Sequence, residues 1–346
     1  MKTNGWIAMG VAGVVALSMT GCGERGAGVE EDSAAEGESY TLSIGHSQKD
    51  TTPMNLGAER FAETVSEESD GRITVEVYPA EQIGSEPEMM EGLAMNSVNI
   101  AIVATAVLAD VCEEFGAFAL PYAIEGETDR DQYESLRNLA GSDWNQQTID
   151  ECAESSGNRV VDNSWWYGNR NLTTGSTEVS SPEDMEGLAI RTPPADLHTM
   201  AIQDFGADAQ PMPFSEVYTA LDTGVIDGQE NPISTIYQNS LFEVQDNLSL
   251  TKHMTQNQAV VMDDEFFSGL SDEDQEIILQ AIDDAGQYQS DLQLTSNEEE
   301  LELLRDEGMT VTEPDLEAFR AATEDSVRTH LEDLGISPEE LSEMQQ

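Results

Sequence analysis

The sequence predicts an α/β protein with largely parallel sheets. Short runs with strand patterns recur along the chain, and most are followed by a stretch with the apolar periodicity of a helix. The hydrophobic content of 38% is ordinary for a globular chain. Because the part that begins near Tyr40 is longer than one hydrophobic core usually serves, two lobes are favoured over one.

The first half of the chain contains three predicted strands. They are the alternating run 40–45, the run ITVEVY at 73–78 and the continuous apolar run 100–104. An unbroken apolar run indicates a strand that is buried on both faces. Between the first two strands, one stripe of a helix is formed by Leu56, Phe61 and Val65. Ser85 and Glu88 have the spacing of a capping box, which predicts that another helix begins there.

Two further strands are predicted in the second half, at 159–166 and 188–192. Ser181 and Pro182 have the character of an N-cap and a first helical position, which predicts a short helix. Ser215 is predicted to cap another helix. That helix carries the apolar residues Val217, Leu221 and Val225.

A long helical pattern extends from Ser271 to about Gly308. Its apolar positions recur at helical spacing, it contains no proline, and Gly286 is its one internal glycine. At 1.5 Å per residue such a helix would be about 50 Å long, which exceeds the width of a small domain. Either the helix breaks near Thr295 and Ser296, or it is one helix that lies across two lobes. The second interpretation is favoured.

The N-terminus predicts export. Residues 1–21 resemble a lipoprotein signal peptide, in which Lys2 and an apolar stretch from Ile7 to Leu17 precede a small-residue cleavage site. Cys22 is then the predicted site of lipidation; the alternative is an ordinary signal peptide that is cut nearby. Residues 22–38 are rich in Gly, Ala and Glu and predict a flexible acidic linker. The mature chain is therefore expected in the periplasm or at the cell surface, tethered to the membrane by lipid.

The chain is strongly acidic, with 69 Asp and Glu against 14 Lys and Arg and a formal net charge of −55. The carboxylates are spread along the whole mature chain. They predict a halophilic surface, adapted to multimolar salt, where screening acts over about 3 Å and suppresses self-repulsion. The sign of the charge excludes nucleic acid and anionic membrane surfaces as partners.

Motifs of common catalytic and metal sites are absent from the sequence. It contains no HExxH, GxSxG or Walker loop, and its four histidines lack metal-ligand spacing, so no catalytic residue, metal or cofactor is expected. Cys112 and Cys152 either form a disulfide, which export permits, or are two small buried residues. His46 ends the first strand, where parallel sheets place their ligands, and is a candidate either for the cleft or for a structural role.

Three polar residues stand out in separate segments: Arg170 in SWWYGNR, Arg191 in GLAIRTP and Asn231 in DGQENP. Neither arginine is followed three or four residues later by the Asp or Glu that would mark a surface helix pair. In a chain with so few basic residues, these arginines suggest a fixed anionic partner, and the planar guanidinium fork suits a carboxylate. Without further context, each arginine would more often form a surface ion pair and Asn231 a turn.

Several longer segments carry a family resemblance. They are VEVYPAEQIGS (75–85), FALPY (118–122), YGNRNLTT (167–174), EDMEGLAIRTP (183–193), GADAQPMPFSEVYTALDTGVIDGQENP (206–232) and EVQDNLSLTKH (243–253). Over nearly all of 40–330 the sequence resembles the solute-binding proteins of tripartite ATP-independent periplasmic (TRAP) transporters, of the dicarboxylate-binding (DctP) type. The resemblance implies a two-lobe periplasmic-binding-protein-like clamp (type II-like), with a long helix that spans both lobes and closure on a ligand without chemistry.

The same resemblance implies roles for single residues. Arg191 corresponds to the arginine that holds the carboxylate of the ligand, and Arg170 to a second, supporting arginine. Asn231 corresponds to an asparagine that hydrogen-bonds the same carboxylate or its neighbour. Phe214 resembles the aromatic floor of the pocket, although by its pattern alone it could equally lie in the core of a lobe.

Two further expectations concern the walls of the pocket. Trp165 and Trp166 occupy consecutive strand positions, so their side chains must point to opposite faces, and Trp166 is predicted to face the cleft. Ala104, Thr105 and Ala106 stand where some sugar-acid binders have a longer polar residue. Thr105 is the candidate ligand contact there. This side of the pocket is expected to be less polar, which argues against a heavily hydroxylated ligand.

The predicted lobe I comprises 39–167 and about 257–296, and lobe II comprises 168–256 and about 297–346. The implied function is that of an extracytoplasmic receptor, which binds a small carboxylate and delivers it to the small and large membrane permease subunits of the transporter. Candidate ligands are C4-dicarboxylates, other organic or keto acids, uronates and ectoine. The alternatives are a sensor component for a receptor kinase and, less favoured, a surface-attached hydrolase.

Overall fold

A mixed sheet organises the protein. The computed structural model describes residues 38–346, of which Ser39–Gln346 form one compact unit. Nine strands lie within these residues: β1 (Tyr40–Gly45), β2 (Ile73–Tyr78), β3 (Ile100–Ala104), β4 (Asn158–Thr174), β5 (Ala189–Thr192), β6 (Asp208–Pro211), β7 (Gly228–Pro232), β8 (Asn247–Asp263) and β9 (Thr310–Thr312). Their order is β2-β1-β3-β8-β4-β7-β5-β6, and β9 pairs with β8.

The sheet has two parallel parts joined by an antiparallel centre. β1 pairs in parallel with β2 and β3, and β5 pairs in parallel with β6 and β7. We call β2-β1-β3 the first half and β7-β5-β6 the second half of the sheet. The pairs β3–β8, β8–β4 and β4–β7 between them are antiparallel. The α/β prediction is confirmed, whereas a largely parallel sheet is found only within the two halves.

Helices surround the sheet. The α-helices among the described residues are α1 (Pro53–Glu68), α2 (Glu86–Ala94), α3 (Thr105–Ala109), α4 (Asp129–Ala140), α5 (Asp143–Ser156), α6 (Asp196–Asp204), α7 (Val217–Asp222), α8 (Ile233–Gln238), α9 (Asp264–Gly269), α10 (Asp272–Asp306), α11 (Leu316–Leu334) and α12 (Pro338–Met344). Short 3-10 helices span Glu113–Phe118, Pro182–Met185, Phe214–Glu216 and Leu241–Glu243. The capping box of Ser85 with Glu88 is confirmed, as is an N-cap at Ser181. The cap predicted at Ser215 is wrong, because Ser215 lies inside a 3-10 helix.

Three long elements connect the two halves. The strands β4 and β8 each contain 17 residues and pair with one another along their length. The helix α10 is unbroken over 35 residues, so a break near Thr295 does not occur. It packs against α1 beside the first half, against β4, and against α8 beside the second half. The predicted boundaries of the two lobes stay a prediction.

Each half of the sheet is packed on both faces. Along β3 and β8 consecutive side chains alternate between two clusters, for example Val260 in one and Val261 in the other. Two further clusters flank the second half, one around Phe205 and Phe319 and one around Val217. Apolar surface is thereby buried on both sides of a sheet whose strands are joined by helical crossovers.

The consecutive tryptophans follow this alternation. Trp165 packs in one cluster of the first half and Trp166 in the other, which confirms that they point to opposite faces. The indole of Trp165 lies between α1 and α10, and it fits because both helices have a glycine there. A Cβ atom built on Gly286 would lie 2.3 Å from Nε1 of Trp165, and one built on Gly57 would lie 2.9 Å from its ring.

Cys112 and Cys152 form a disulfide, which decides between the two alternatives left open by the sequence. At the C-terminus, Leu341 packs in the same cluster as Phe118, and Gln345 hydrogen-bonds to the backbone of Glu125.

The predicted signal peptide, Cys22 and all but the last residue of the predicted linker lie outside the described residues. Between residues 38 and 346, no helix combines the length and the apolar character that a bilayer span requires.

Candidate ligand-binding cleft

A cleft lies where the loops after the parallel strands of both halves meet. In α/β sheets, ligands bind at the carboxyl ends of the strands, and both halves contribute such ends here. The first half supplies Ser47 after β1 and Glu86 after β2. The second half supplies Arg191 from β5, Phe214 after β6 and Asn231 from β7. The empty space within the cleft, together with the part that is open to solvent, is about 390 Å³.

The Arg191 guanidinium is buried, with 2% of the residue exposed; it forms no ion pair within the part of the chain that the structure describes, although the carboxylates of Glu230 and Glu86 lie near enough to favour its charge. Its Nε and Nη2 donate to the carbonyl oxygen of Met212, at 3.0 and 2.7 Å. The ring of Phe214 lies 5.7 Å from the guanidinium carbon. Burial, together with the charge of Arg170, lowers the pKa of Arg191 to about 10, so the group stays protonated at neutral pH. A protonated guanidinium held in place on one side is suited to an anion on the other.

Arg170 is also buried, but its charge is neutralised within the protein. It forms a two-point ion pair with the carboxylate of Glu230 and also donates to Gln256. Burial alone would raise the pKa of Glu230, but the charge of Arg170 and the hydrogen bonds from Arg170 and His253 outweigh burial and hold that pKa well below its usual range. Arg170 therefore lines the cleft without offering the same free charge as Arg191.

Two imidazoles complete the buried cluster around Glu230. Nε2 of His253 lies 3.2 Å and Nδ1 of His198 lies 3.5 Å from its carboxylate oxygens. Burial and the charge of Arg170 lower the pKa of His198 to about 3, so this imidazole is neutral. Nowhere within residues 38–346 is a group of His, Cys, Asp and Glu side chains arranged to hold a metal ion.

A β-bulge in β4 places Tyr167 and Arg170 together in the cleft. Trp166 pairs with Asn257 and Gly168 with Gln256, so Tyr167 is an extra residue in the ladder. Gly168 has φ +122°, which favours glycine. The extra carbonyl of Tyr167 is satisfied by the long helix α10, because Nε2 of Gln293 donates to it at 3.0 Å.

One predicted site residue lies away from the cleft. Trp166 does not line the cleft but packs in the core, with its ring 6.0 Å from that of Tyr133. The prediction rested on the closeness of Trp166 to Arg170 in the sequence, because the alternation of Trp165 and Trp166, which holds, does not decide which of the two faces the cleft. Tyr167 takes the cleft position instead, and its hydroxyl accepts a hydrogen bond from Thr235 at 2.8 Å.

His46 and Thr105 likewise lie beside the cleft and do not line it. The ring of His46 is buried, where Nε2 donates to Oδ1 of Asn55 and Nδ1 accepts from the backbone of Gln48. Burial lowers the pKa of His46 to about 4, and its role is to hold the loop after β1. The hydroxyl of Thr105 donates to the carbonyl of Asn257. Arg170, Arg191, Asn231 and Phe214 are the predicted site residues that the structure brings together.

Sequence reasoning missed the polar groups on the opposite wall. The carboxylate of Glu86 accepts from the backbone of Ala104 at 2.9 Å and from the hydroxyl of Ser47 at 2.8 Å. Burial raises its pKa. Gln258 lines the cleft, and its buried Oε1 has no hydrogen-bond partner within residues 38–346. The expectation of a less polar wall near Ala104 is thus wrong. The capping pattern at Ser85 predicted that a helix begins here, but it did not predict that the start of this helix lies against the end of β3.

Fold and cleft together define a receptor of the two-lobe clamp class, in which two sheet halves face one another across a site for a small anion. The chain belongs to the DctP family, bacterial extracellular solute-binding proteins of family 7, whose model matches residues 44–333. The resemblance to TRAP solute-binding proteins is thereby confirmed.

Individual relatives agree with this assignment. The sialic acid-binding periplasmic protein SiaP of Vibrio cholerae is 32% identical over 294 residues, which cover 82% of this chain and 89% of that protein. A sugar acid binding protein of Advenella mimigardefordensis, solved in complex with galactonate, superposes with a TM-score of 0.81 at 27% identity. The match covers 90% of this chain and 99% of that protein. A TRAP solute-binding protein of Roseobacter denitrificans with bound L-galactonate superposes with a TM-score of 0.78 at 31% identity. The match covers 86% of this chain and 99% of that protein. The family and these neighbours are receptors, not enzymes.

Proposed function

We propose that this protein captures a small hydroxylated carboxylate outside the cytoplasm and delivers it to the membrane permease subunits of a TRAP transporter. The observation that carries the proposal is the buried guanidinium of Arg191, which faces the cleft and forms no ion pair among the described residues. A buried cation is costly unless an anion compensates it, so the site favours a ligand carboxylate.

The opposite wall suggests the rest of the ligand. Glu86 and the unpartnered Oε1 of Gln258 are acceptors, and they favour a ligand that carries hydrogen-bond donors such as hydroxyl groups. A buried acceptor left without a donor disfavours ligands that lack one. The relatives that bind galactonate and sialic acid support a hydroxylated acid.

Closure would use the two halves of the sheet as lobes. We propose that lobe I is built around the first half and lobe II around the second, with β4, β8 and α10 crossing between them. Ligand contacts from both halves exist together only when the cleft is closed. Binding therefore stabilises the closed form by its differential affinity for that form.

The cellular location of the protein and its adaptation to salt are part of the same proposal. Residues 1–21 would direct export, and lipidation at Cys22 would tether the mature chain to the membrane. The net charge of −55 supports a surface adapted to molar salt, although charge alone says nothing about the ligand.

A thermal-shift screen followed by calorimetry tests the function. L-galactonate, galacturonate, sialic acid, succinate and ectoine would be compared in molar KCl, with galactonamide as the matched uncharged control. A ligand at 100 times its dissociation constant should stabilise the protein by about 2.7 kcal/mol. Stabilisation by a hydroxylated acid and not by its amide supports the proposal. No binding of any carboxylate, or equal binding of the amide, would contradict it.

A further inference from the structure

The loops after the two outermost strands of the sheet touch one another. In the order β2-β1-β3-β8-β4-β7-β5-β6, β2 and β6 are at opposite ends. Nevertheless, the carboxylate of Glu81, which follows β2, accepts hydrogen bonds from the backbone N–H groups of Phe214 and Ser215, which follow β6. The distances are 3.2 and 3.0 Å. This contact joins the two halves at the mouth of the cleft.

Glu81 replaces the cap that the sequence predicted for the segment after β6. The first N–H groups of a helical segment need acceptors, and Ser215 was expected to provide one. In the structure, the 3-10 helix Phe214–Glu216 has no side-chain cap of its own, and its first N–H groups are satisfied from across the cleft. The segment is therefore fully hydrogen-bonded only when Glu81 is in place.

The backbone around Glu81 is held in an unfavourable conformation. Ala80 and Glu81 have φ values of 53° and 58°, in the left-handed region that favours glycine. The loop after β1 supports them, because the N–H of Ala80 donates to Gln48 at 2.8 Å and the N–H of Glu81 to His46 at 3.1 Å. Glycine would relieve this cost at either position. A glutamate here indicates that its side chain has a use that offsets the strain.

The segment that Glu81 holds is also the one that positions Arg191. The guanidinium donates twice to Met212 and faces the ring of Phe214. The carboxylate of Glu81 binds the adjacent N–H groups of Phe214 and Ser215. Disturbing this contact would therefore loosen the segment against which Arg191 is fixed.

We propose that Glu81 is an interlobe latch, a positioning residue that holds the cleft closed over any bound ligand and slows its release. This inference rests on the proposed function, because a latch requires that the two halves move apart. Its two hydrogen bonds are charge-assisted and end on backbone groups. Glu81 also lines the cleft, but because both of its hydrogen bonds end on the backbone of the other half, we expect the latch to act alike on every ligand that fits. Lys49 makes a second, weaker crossing, with Nζ 3.4 Å from the carbonyl of Gln238.

The variant Glu81→Gly tests the latch, and Ala80→Gly is its matched control. Both substitutions place glycine at a left-handed position, but only the first removes the carboxylate. Amide hydrogen exchange, measured without added ligand, should be faster at Phe214 and Ser215 in Glu81→Gly than in wild type or in Ala80→Gly. Glu81→Gln retains one acceptor and should restore part of the protection. Equal exchange in all four proteins would overturn the latch, whatever the ligand proves to be.

Ligand release gives the second readout. For L-galactonate and succinate as probes, the dissociation rate of whichever binds should rise roughly tenfold in Glu81→Gly, with a smaller change in the association rate. The ratio of the affinities for two bound probes should stay that of wild type. A changed ratio would show that Glu81 contacts the ligand directly and would overturn the latch. If no carboxylate of the thermal-shift screen binds wild type while the exchange result holds, the contact between the two halves stands and the proposed function is the part that fails.

Discussion

At the scale of single residues, two buried arginines in one cleft have different tasks. Arg170 is paired with Glu230 inside the protein, whereas Arg191 leaves its charge available to the cleft. Truncation of a buried charge that already has a partner leaves the partner uncompensated, and truncation of a free one removes a ligand contact. The two arginines should therefore be separable by experiment.

Arg191→Ala should weaken binding of the acidic ligand by more than roughly a hundredfold, about 3 kcal/mol, because charge-assisted hydrogen bonds to the carboxylate are lost. Arg191→Lys should retain only part of the wild-type affinity, since an ammonium lacks the planar fork of a guanidinium. Arg320→Ala is the control, because Arg320 also lies over an aromatic ring, 4.5 Å from that of Tyr122, and does not line the cleft. Calorimetry measures the affinity of these three variants for the ligand. Affinity within about tenfold of wild type in Arg191→Ala would place the carboxylate elsewhere.

Arg170→Leu should instead destabilise the fold, by about 3 kcal/mol or more, because the carboxylate of Glu230 is left buried without its main partner. Adding Glu230→Gln to the same protein should recover part of that loss, since the uncompensated charge is gone. Denaturant unfolding at constant salt measures both effects. If Arg170→Leu alone is as stable as wild type, the ion pair of Arg170 with Glu230 is not important for the stability of the folded state.

His46 should make stability depend on acid. Its folded pKa is depressed to about 4 from 6.5, so the neutral ring contributes stability that is present above pH 6.5 and is lost as pH falls toward 4. Between pH 7 and pH 5 the expected loss is about 2 kcal/mol. His46→Gln should show a correspondingly smaller loss in denaturant unfolding at the two pH values. An equal loss in both proteins would assign the acid sensitivity to other groups, such as His198.

The resemblance to a family located Arg191, Asn231 and Phe214 in the cleft, because each lies in a motif that is contiguous in sequence. Glu86 and Gln258 were not found. Their place depends on the pairing of β3 with β8, which joins residues more than 150 positions apart, as in Ala104 with Gln258. No local pattern contains such a pairing. Trp166 was misplaced because alternation along a strand shows only that Trp165 and Trp166 face opposite ways, and not which of them faces the cleft.

At the scale of elements, the contact between α10 and the sheet depends on space for Trp165. Gly286→Ala should destabilise the protein by about 2 kcal/mol or more through overpacking, although the same change in an exposed helix stabilises by up to about 1 kcal/mol. The new Cβ would lie 2.3 Å from Nε1 and 2.5 Å from Cδ1 of Trp165. Gly269→Ala in α9 is the control, because no atom lies within 4 Å of its added Cβ. A stabilised Gly286→Ala protein would show that the indole moves aside at little cost.

The elements themselves were mostly predictable. The strands at 40–45, 73–78 and 100–104 and the continuous α10 follow from apolar periodicity. The strand β4 extends to Thr174, well beyond the predicted 166, because its second part is polar and buried among other polar groups. Hydrophobic patterning cannot detect a strand whose buried side chains hydrogen-bond to one another, such as Asn169 with Thr255.

At the scale of the whole molecule, the main feature is the strong acidic charge. With a formal net charge of −55, the folded state concentrates carboxylates that the unfolded chain keeps further apart. The melting temperature should therefore fall when KCl is lowered from about 3 M to about 0.1 M, as screening weakens. Scans with tetramethylammonium chloride at equal ionic strength would separate screening from specific potassium binding. A melting temperature that does not change with salt would contradict the halophilic interpretation.

The pairing of β3 with β8 also has a consequence for how the chain is made. Residues 100–104 find their second strand partner at 258–262, so the first half of the sheet cannot be joined to the rest until most of the chain has left the ribosome. Distant pairing of this kind slows folding, because a long loop must close before the contact forms. A chain proposed for export gains from this delay. Its N-terminal part lacks this long-range pairing, and so is easier to pass through a translocation channel, until synthesis is nearly finished.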